Sequence, residues 1–287
     1  MATFHLVDAF TDVAFAGNPA GVVLLDSGPV DGAWAQRVAA EVGASETAFL
    51  LPETGGAGAG DGSRWQLRWW TPAAEVDLCG HATLAAAHVL RARGLVAAGA
   101  TVGFDTRSGT LTARCDPEGR IWLDLPAWPV ADHAAPGDLT ALLGGVEGRY
   151  LGRTGVAQAN DVVEVAGTDA LDAVAVDRDR VTALGSAGLI VCCGGAGSDA
   201  AMRYFAPALG VDEDPVTGSA ACSVAPLWAG RLGRSEVTIE QRSARGGWLW
   251  ARVGGSTAGG TGDGGAAGRV LVGGHAVTTI VGELVVS

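Results

Sequence analysis

One stretch of this chain occurs twice, and a fold must accommodate both copies. Arg68 matches Arg203, Trp69-Trp70 match Tyr204-Phe205, Pro72 matches Pro207 and Ala73 matches Ala208. Val76 then aligns with Val211 and Asp77 with Asp212, and after three extra residues in the second copy Gly80 falls on Gly218 and Ala82 on Ala220. Each copy predicts an aromatic strand broken at proline, a turn through acidic residues, and a helix opening at glycine. Apolar residues recur at helical spacing in both: Ala82, Ala86, Val89 and Leu90, then Ala220, Val224, Leu227 and Trp228. Helix starts carry unpaired backbone N–H groups and partial positive charge, so two such starts together would cradle a carboxylate. A duplication kept for packing alone would leave the same pattern.

A chain of 287 residues is long enough to divide into two similar halves. Its formal charge is -12 and it has no basic run, which argues against nucleic acid or an anionic membrane as partner. Met1 to Leu6 passes straight into strand-like sequence, so we expect a cytoplasmic protein without signal peptide or membrane span. The five cysteines are odd in number and lack zinc-site spacing, as expected of reduced thiols, and Cys192-Cys193 read as small buried hydrophobes.

In order, the pattern predicts strands over Phe4–Phe10 and Ala20–Leu25 joined through Gly17-Asn18-Pro19, where Asn18 is either a turn residue or a ligand contact. Asp31 caps a helix to about Glu41. Ser45–Leu50 is a strand whose apolar end implies burial near Glu46; an ion-paired surface carboxylate and a catalytic one both fit. Thr54–Ser63 reads as a solvated loop lacking the Lys and Ser/Thr of a phosphate loop, followed by strand Trp65–Trp70. Thr101–Asp105, Gly109–Cys115 and Ile121–Leu125 read as an antiparallel meander, and the prolines beyond it mark a domain boundary. The second half predicts a short helix at Leu139–Leu143, strand Asp161–Val165, mostly helix over Asp169–Leu184, and strand Leu189–Cys193. After the second repeat come strands Val237–Gln241 and Trp248–Val253, a mobile hairpin tip or insertion at Gly254–Gly268, and final strands Val270–Val272 and His275–Val286.

Five motifs stand in register: Phe10-Thr11 with Gly17-Asn18-Pro19, Ser45–Phe49, Cys79–Thr83, Glu213–Ala220 and Val270–Gly282. Together they resemble the PhzF (phenazine biosynthesis-like) family, from about Phe4 to Glu283. The resemblance implies a diaminopimelate-epimerase-like α+β fold of two pseudo-symmetric domains, each a curved, mostly antiparallel sheet around a central helix. It implies domains over 1–127, completed by a C-terminal strand at 277–287, and over 128–276. It implies an active site in the cleft between the domains, at the helix starts, and a homodimer in secondary metabolism.

The activity implied is that of a cofactor-independent isomerase like the one acting on trans-2,3-dihydro-3-hydroxyanthranilate, moving a proton within a small amino or hydroxy carboxylic acid. Glu46 then takes the position of the acid/base shuttle, with His81 and Asp214 in support. A carboxylate that accepts and then donates serves both ends of such a shift. Asn18, Cys79, Gly80, Thr217, Gly218 and Ser219 are the expected substrate-binding positions, with no metal or nucleotide signature. His81 and Asp214 also fit plain local roles at a helix start. Ala221 stands where many relatives carry His, which leaves the substrate open. The epimerase relatives use two cysteines where this chain has Cys79 and Thr217, so a one-base, Cys79-dependent epimerase, racemase or dehydratase is the alternative. A non-catalytic ligand-binding protein is the third reading.

Overall fold

The computed structural model describes residues 2–53, 64–155, 159–254 and 268–285. The expected loop at Thr54–Ser63 and nearly all of the expected insertion at Gly254–Gly268 lie outside them. The described residues form two compact units: 2–53, 64–125 and 273–285 make one, and 126–155, 159–254 and 268–272 the other.

In chain order the first unit holds strands β1 (Ala2–Ala9) and β2 (Asn18–Leu25), helix α1 (Gly32–Val42), and strands β3 (Glu46–Pro52), β4 (Arg64–Trp70) and β5 (Glu75–Val76). Helix α2 (Gly80–Ala92) and strands β6 (Thr101–Thr106), β7 (Gly109–Cys115) and β8 (Ile121–Pro126) follow. The second unit starts with β9 (Val130–Ala131), α3 (Leu139–Leu142), β10 (Gly148–Thr154), β11 (Asn160–Val165), α4 (Thr168–Ala173), α5 (Arg178–Ala183) and β12 (Gly188–Gly194). It continues through β13 (Ala200–Ala206), β14 (Val211–Asp214), α6 (Gly218–Leu232), β15 (Glu236–Gln241), β16 (Gly247–Val253) and β17 (Arg269–Gly274). The closing strand, β18 (Ala276–Leu284), returns to pair antiparallel with β1.

Each unit uses the same pairing scheme. In the first, β1–β2 is antiparallel, β2–β3 parallel, β3–β4 antiparallel, β4–β6 parallel and β6–β7 antiparallel. In the second, β10–β11, β11–β12, β12–β13, β13–β15 and β15–β16 repeat that order of senses. Each parallel step needs a crossover. Helix α1, or α4 with α5, supplies the first crossover and the repeated helix, α2 or α6, the second.

The repeated helices are buried nearly all round, as fits the central element of a sheet-wrapped unit. On α2, Ala82, Leu84, Ala85, Ala86, Val89 and Leu90 are fully buried, and its alanines allow close approach to the strands. Each of the larger side chains adds about 1.5–3 kcal/mol by leaving water. Helix α1 covers the sheet's other layer, with Trp34 edge-on to Phe49 and Phe49 edge-on to Trp70 at centroid separations of 5.6 and 5.1 Å.

One expectation needs correction. The extra residues of the second repeat precede its acidic stretch rather than follow it. Arg68 forks onto Glu75 (2.7 and 2.9 Å) and stacks on Trp70, while Arg203 forks onto Glu213 (2.7 and 2.9 Å) and stacks on Phe205. Glu75 therefore corresponds to Glu213 and Val76 to Asp214, and the added length is taken up by a 3-10 turn at Pro207–Leu209. Asp169–Leu184 is mostly helix, as expected, in two pieces, α4 and α5. Arg203 draws the carbonyls of Leu171 and Val174 (3.1 and 2.8 Å), Val174 turns extended, and Asp177 caps a new helix through the amides of Asp179 and Arg180.

Candidate active site

In the first unit, β1 and β2 are joined by a tight connection ending at Gly17. Its φ is +64°, and a Cβ there would lie 2.3 Å from the Ala9 carbonyl oxygen, so glycine is required. The turn delivers Asn18, fully buried, to the start of β2. Because β2 and β3 run parallel with Ala20 opposite Glu46, the start of β3 lies beside it. Ser45 bridges the two: its hydroxyl oxygen lies within hydrogen-bonding distance of Asn18 Oδ1 (3.1 Å), the Pro19 carbonyl (3.2 Å) and His81 Nε2 (3.3 Å), and its single proton serves one acceptor at a time.

His81 sits in the first turn of α2, 6% exposed, with a different neighbour at each ring nitrogen. Glu46 Oε2 is 3.3 Å from Nε2, and the Cys79 thiol is 3.5 Å from Nδ1. Cys79 is the N-cap of α2 but makes no side-chain cap bond, unlike Asp31 on α1, which accepts from two amides. The Glu46 side chain is 19% exposed, enough for a ligand to touch and too little for full hydration. Burial therefore pushes its pKa up to about 7, against the opposing pull of a hydrogen bond from Ser45.

A metal ion is the obvious alternative use of Glu46, Cys79 and His81, whose donor atoms lie within 4.8 Å of one another. The ring stands between the other two, offering Nε2 to the carboxylate and Nδ1 to the thiol. A metal takes one nitrogen per imidazole. The arrangement suits passing protons along a line better than three ligands on one ion.

The second unit gathers the remaining candidates at the start of α6. The Thr217 hydroxyl donates to the Asp214 carboxylate, and Thr217, like Cys79, is an N-cap without a side-chain cap bond. Gly218 and Ser219 form the first turn, and Ala221 is fully buried on the helix. Sequence reasoning missed Gln241. Its Oε1 accepts the Thr217 amide (2.8 Å), and its Nε2 donates to the Asp214 carbonyl (2.8 Å) and the Thr217 hydroxyl (3.2 Å). A fully buried amide closing the alternating strand Val237–Gln241 was the available signal. Ser45 was likewise within a quoted motif but not singled out. The structure thus brings Asn18, Glu46, Cys79, Gly80 and His81 together in one unit, and Asp214, Thr217, Gly218 and Ser219 in the other.

This constellation sits in a fold that known proteins share. Residues 7–282 match the phenazine biosynthesis-like (PhzC-PhzF) family, and the chain belongs to that family. It is 41% identical over 281 residues to an uncharacterized isomerase of Pseudomonas aeruginosa, covering 98% of this chain and 97% of that one. The crystal structure of a PhzF-family phenazine biosynthesis protein of Enterococcus faecalis superposes with a TM-score of 0.84 at 32% identity, covering 99% of both chains. A hydroxyproline epimerase of Agrobacterium vitis, solved with bound trans-4-hydroxy-L-proline, has a TM-score of 0.64 at 13% identity over 98% of this chain and 91% of that one, a likeness of fold alone.

Proposed function

We propose that this protein is a cofactor-independent isomerase that shifts a proton within a small amino or hydroxy carboxylic acid, with Glu46 as acid and base. The observation that carries the reading is the buried carboxyl of Glu46, raised to about 7 beside His81. A group half ionised near neutrality can take a proton from one carbon and return it to another, where an ordinary glutamate would be too weak a base. The similarity to a protein named an isomerase supports the same class.

In this reading the substrate carboxylate rests on the first-turn amides of α2, and His81 holds or relays the proton that Glu46 exchanges. Asp214, Thr217, Gly218 and Ser219 form a second proposed binding group at α6. Substrates resembling trans-2,3-dihydro-3-hydroxyanthranilate are the first to try. The physiological form proposed is a cytoplasmic homodimer serving secondary metabolism.

The test is incubation with dihydroaromatic and unsaturated amino acids in deuterated water, following carbon-bound deuterium by NMR. Wild type incorporates deuterium, and Glu46→Gln slows incorporation by about 10²–10⁴-fold while still binding the substrate. Exchange that survives Glu46→Gln, or its absence with a ligand shown to bind, overturns the reading.

The thiol 3.5 Å from His81 Nδ1 favours a second reading, in which Cys79 is the base of an epimerase, racemase or dehydratase. Cys79→Ser separates the two. Retained turnover supports Glu46, whereas loss of turnover with unchanged folding supports Cys79.

A further inference from the structure

The second unit contains a hollow of about 390 Å³, within the size range of small-molecule sites, that uses none of the residues discussed so far as candidates. It is lined by α3, α5, the end of β10 and the segment before α3. Its floor joins the apolar cluster in which Leu142 and Val181 pack with Val163, Leu189 and Phe205, a cluster that includes no residue of α6.

We propose that this hollow is a binding site for a small organic anion, a carboxylic acid with an apolar body. Arg153, Arg180 and His133 line it with one acidic residue, Asp138; Arg153 is paired with Asp161 and Arg180, through Nε alone, with Asp177, so recognition of an anion rests on the donors that Arg180 leaves open and not on an excess of positive charge. Asp138 is already engaged, capping α3 through the Ala141 amide at 2.9 Å. Arg153 is held rigidly, with two bonds to the buried Asp161 (3.0 and 2.9 Å) and one to the Leu184 carbonyl (2.9 Å).

Arg180 is less committed. Its Nε pairs with Asp177 at 3.3 Å, and its two terminal nitrogens have no partner among the described residues. His133 is anchored through Nδ1, near the Ala134 carbonyl (3.1 Å) and the Tyr150 hydroxyl (3.3 Å), which leaves Nε2 without a partner among the described residues. A planar guanidinium with free donors matches a carboxylate in two-pronged fashion. Leu142, Leu184 and Ala183 then offer apolar surface to the rest of the molecule.

The experiment titrates the full chain with benzoate, benzyl alcohol and acetate, following the ring C–H signal of His133, identified by its loss in His133→Gln. Benzoate is expected to give a saturable shift, with the uncharged alcohol and the body-less acetate each weaker by about tenfold or more. Arg180→Gln, and Ala183→Leu, which narrows the hollow, should each weaken benzoate by about tenfold, whereas Glu46→Gln should leave the His133 response unchanged. Both hollow variants alter exposed positions, and their unfolding midpoints serve as the control for folding. No saturable His133 shift, equal binding of benzyl alcohol, or insensitivity to both hollow variants overturns the proposal. None of these outcomes bears on Glu46 exchange.

Discussion

Glu46 and His81 are 3.3 Å apart and little water reaches either, so the proposed proton shift makes a prediction for each. Ionised Glu46 is the form that can abstract a proton. With its pKa at about 7, kcat/KM should rise as pH increases from 5 to 8 with a midpoint near that value, instead of being flat over this range as an ordinary carboxylate would leave it. A profile already flat at pH 5 would show that an unshifted group limits the reaction. His81→Gln keeps a hydrogen-bonding group near Ser45 and Glu46 but removes the imidazole. The expected result is a fall in kcat of about tenfold or more with KM nearly unchanged, read from steady-state kinetics on the substrate that shows exchange.

The repeated arginine forks show how an ion pair sets the position of a candidate site residue. Arg203 satisfies Glu213 and two carbonyls of the α4 region, and Asp214, the next residue, follows directly from that clamp. Arg203→Met strands a carboxylate and two carbonyls, and should cost about 2–4 kcal/mol in urea unfolding. Arg64→Met, which removes an exposed pairing with Asp105, should cost less than about 1 kcal/mol. Equal losses would show that the fork is not a special clamp. The same region marks the limit of what the sequence could reveal. Proline, glycine and aromatic positions made the two strands and the two helix starts legible, because those residues restrict the backbone wherever they stand. The order of the acidic residues was not legible, since Val-Asp in either copy aligns equally well by type and only the ion pair of Arg203 with Glu213 fixes the register. Strand β10 escaped because glycines and arginines interrupt its alternation, and Gln241 because a buried amide signals a partner without saying which one.

Across the whole chain, the first unit carries two largely buried titratable groups, His88 on α2 and Glu46 at the start of β3, whose effects on stability oppose one another. His88, on α2 and 3.0 Å from the Thr278 hydroxyl, has its pKa lowered to about 4, first by burial and then by nearby Arg91. The native state binds that proton less readily than the unfolded chain does, so His88 removes stability as pH falls from 6.5 towards 4. Glu46, raised to about 7, has the reverse sign: its native form holds a proton that the unfolded chain has lost, so stability drops as pH rises from 4.5 to 7. Each displacement is worth on the order of 3 kcal/mol, so the two slopes nearly cancel between those limits. Replacing either group should uncover the other. Relative to wild type, Glu46→Gln should gain on the order of 3 kcal/mol at pH 8 and almost nothing at pH 4, while His88→Gln should gain on the order of 3 kcal/mol at pH 4 and almost nothing at pH 8. Urea titrations of both variants across this range decide the matter. A Glu46→Gln advantage independent of pH would mean that the carboxyl is not held protonated in the folded protein, and the base assigned to the reaction would lose its physical ground.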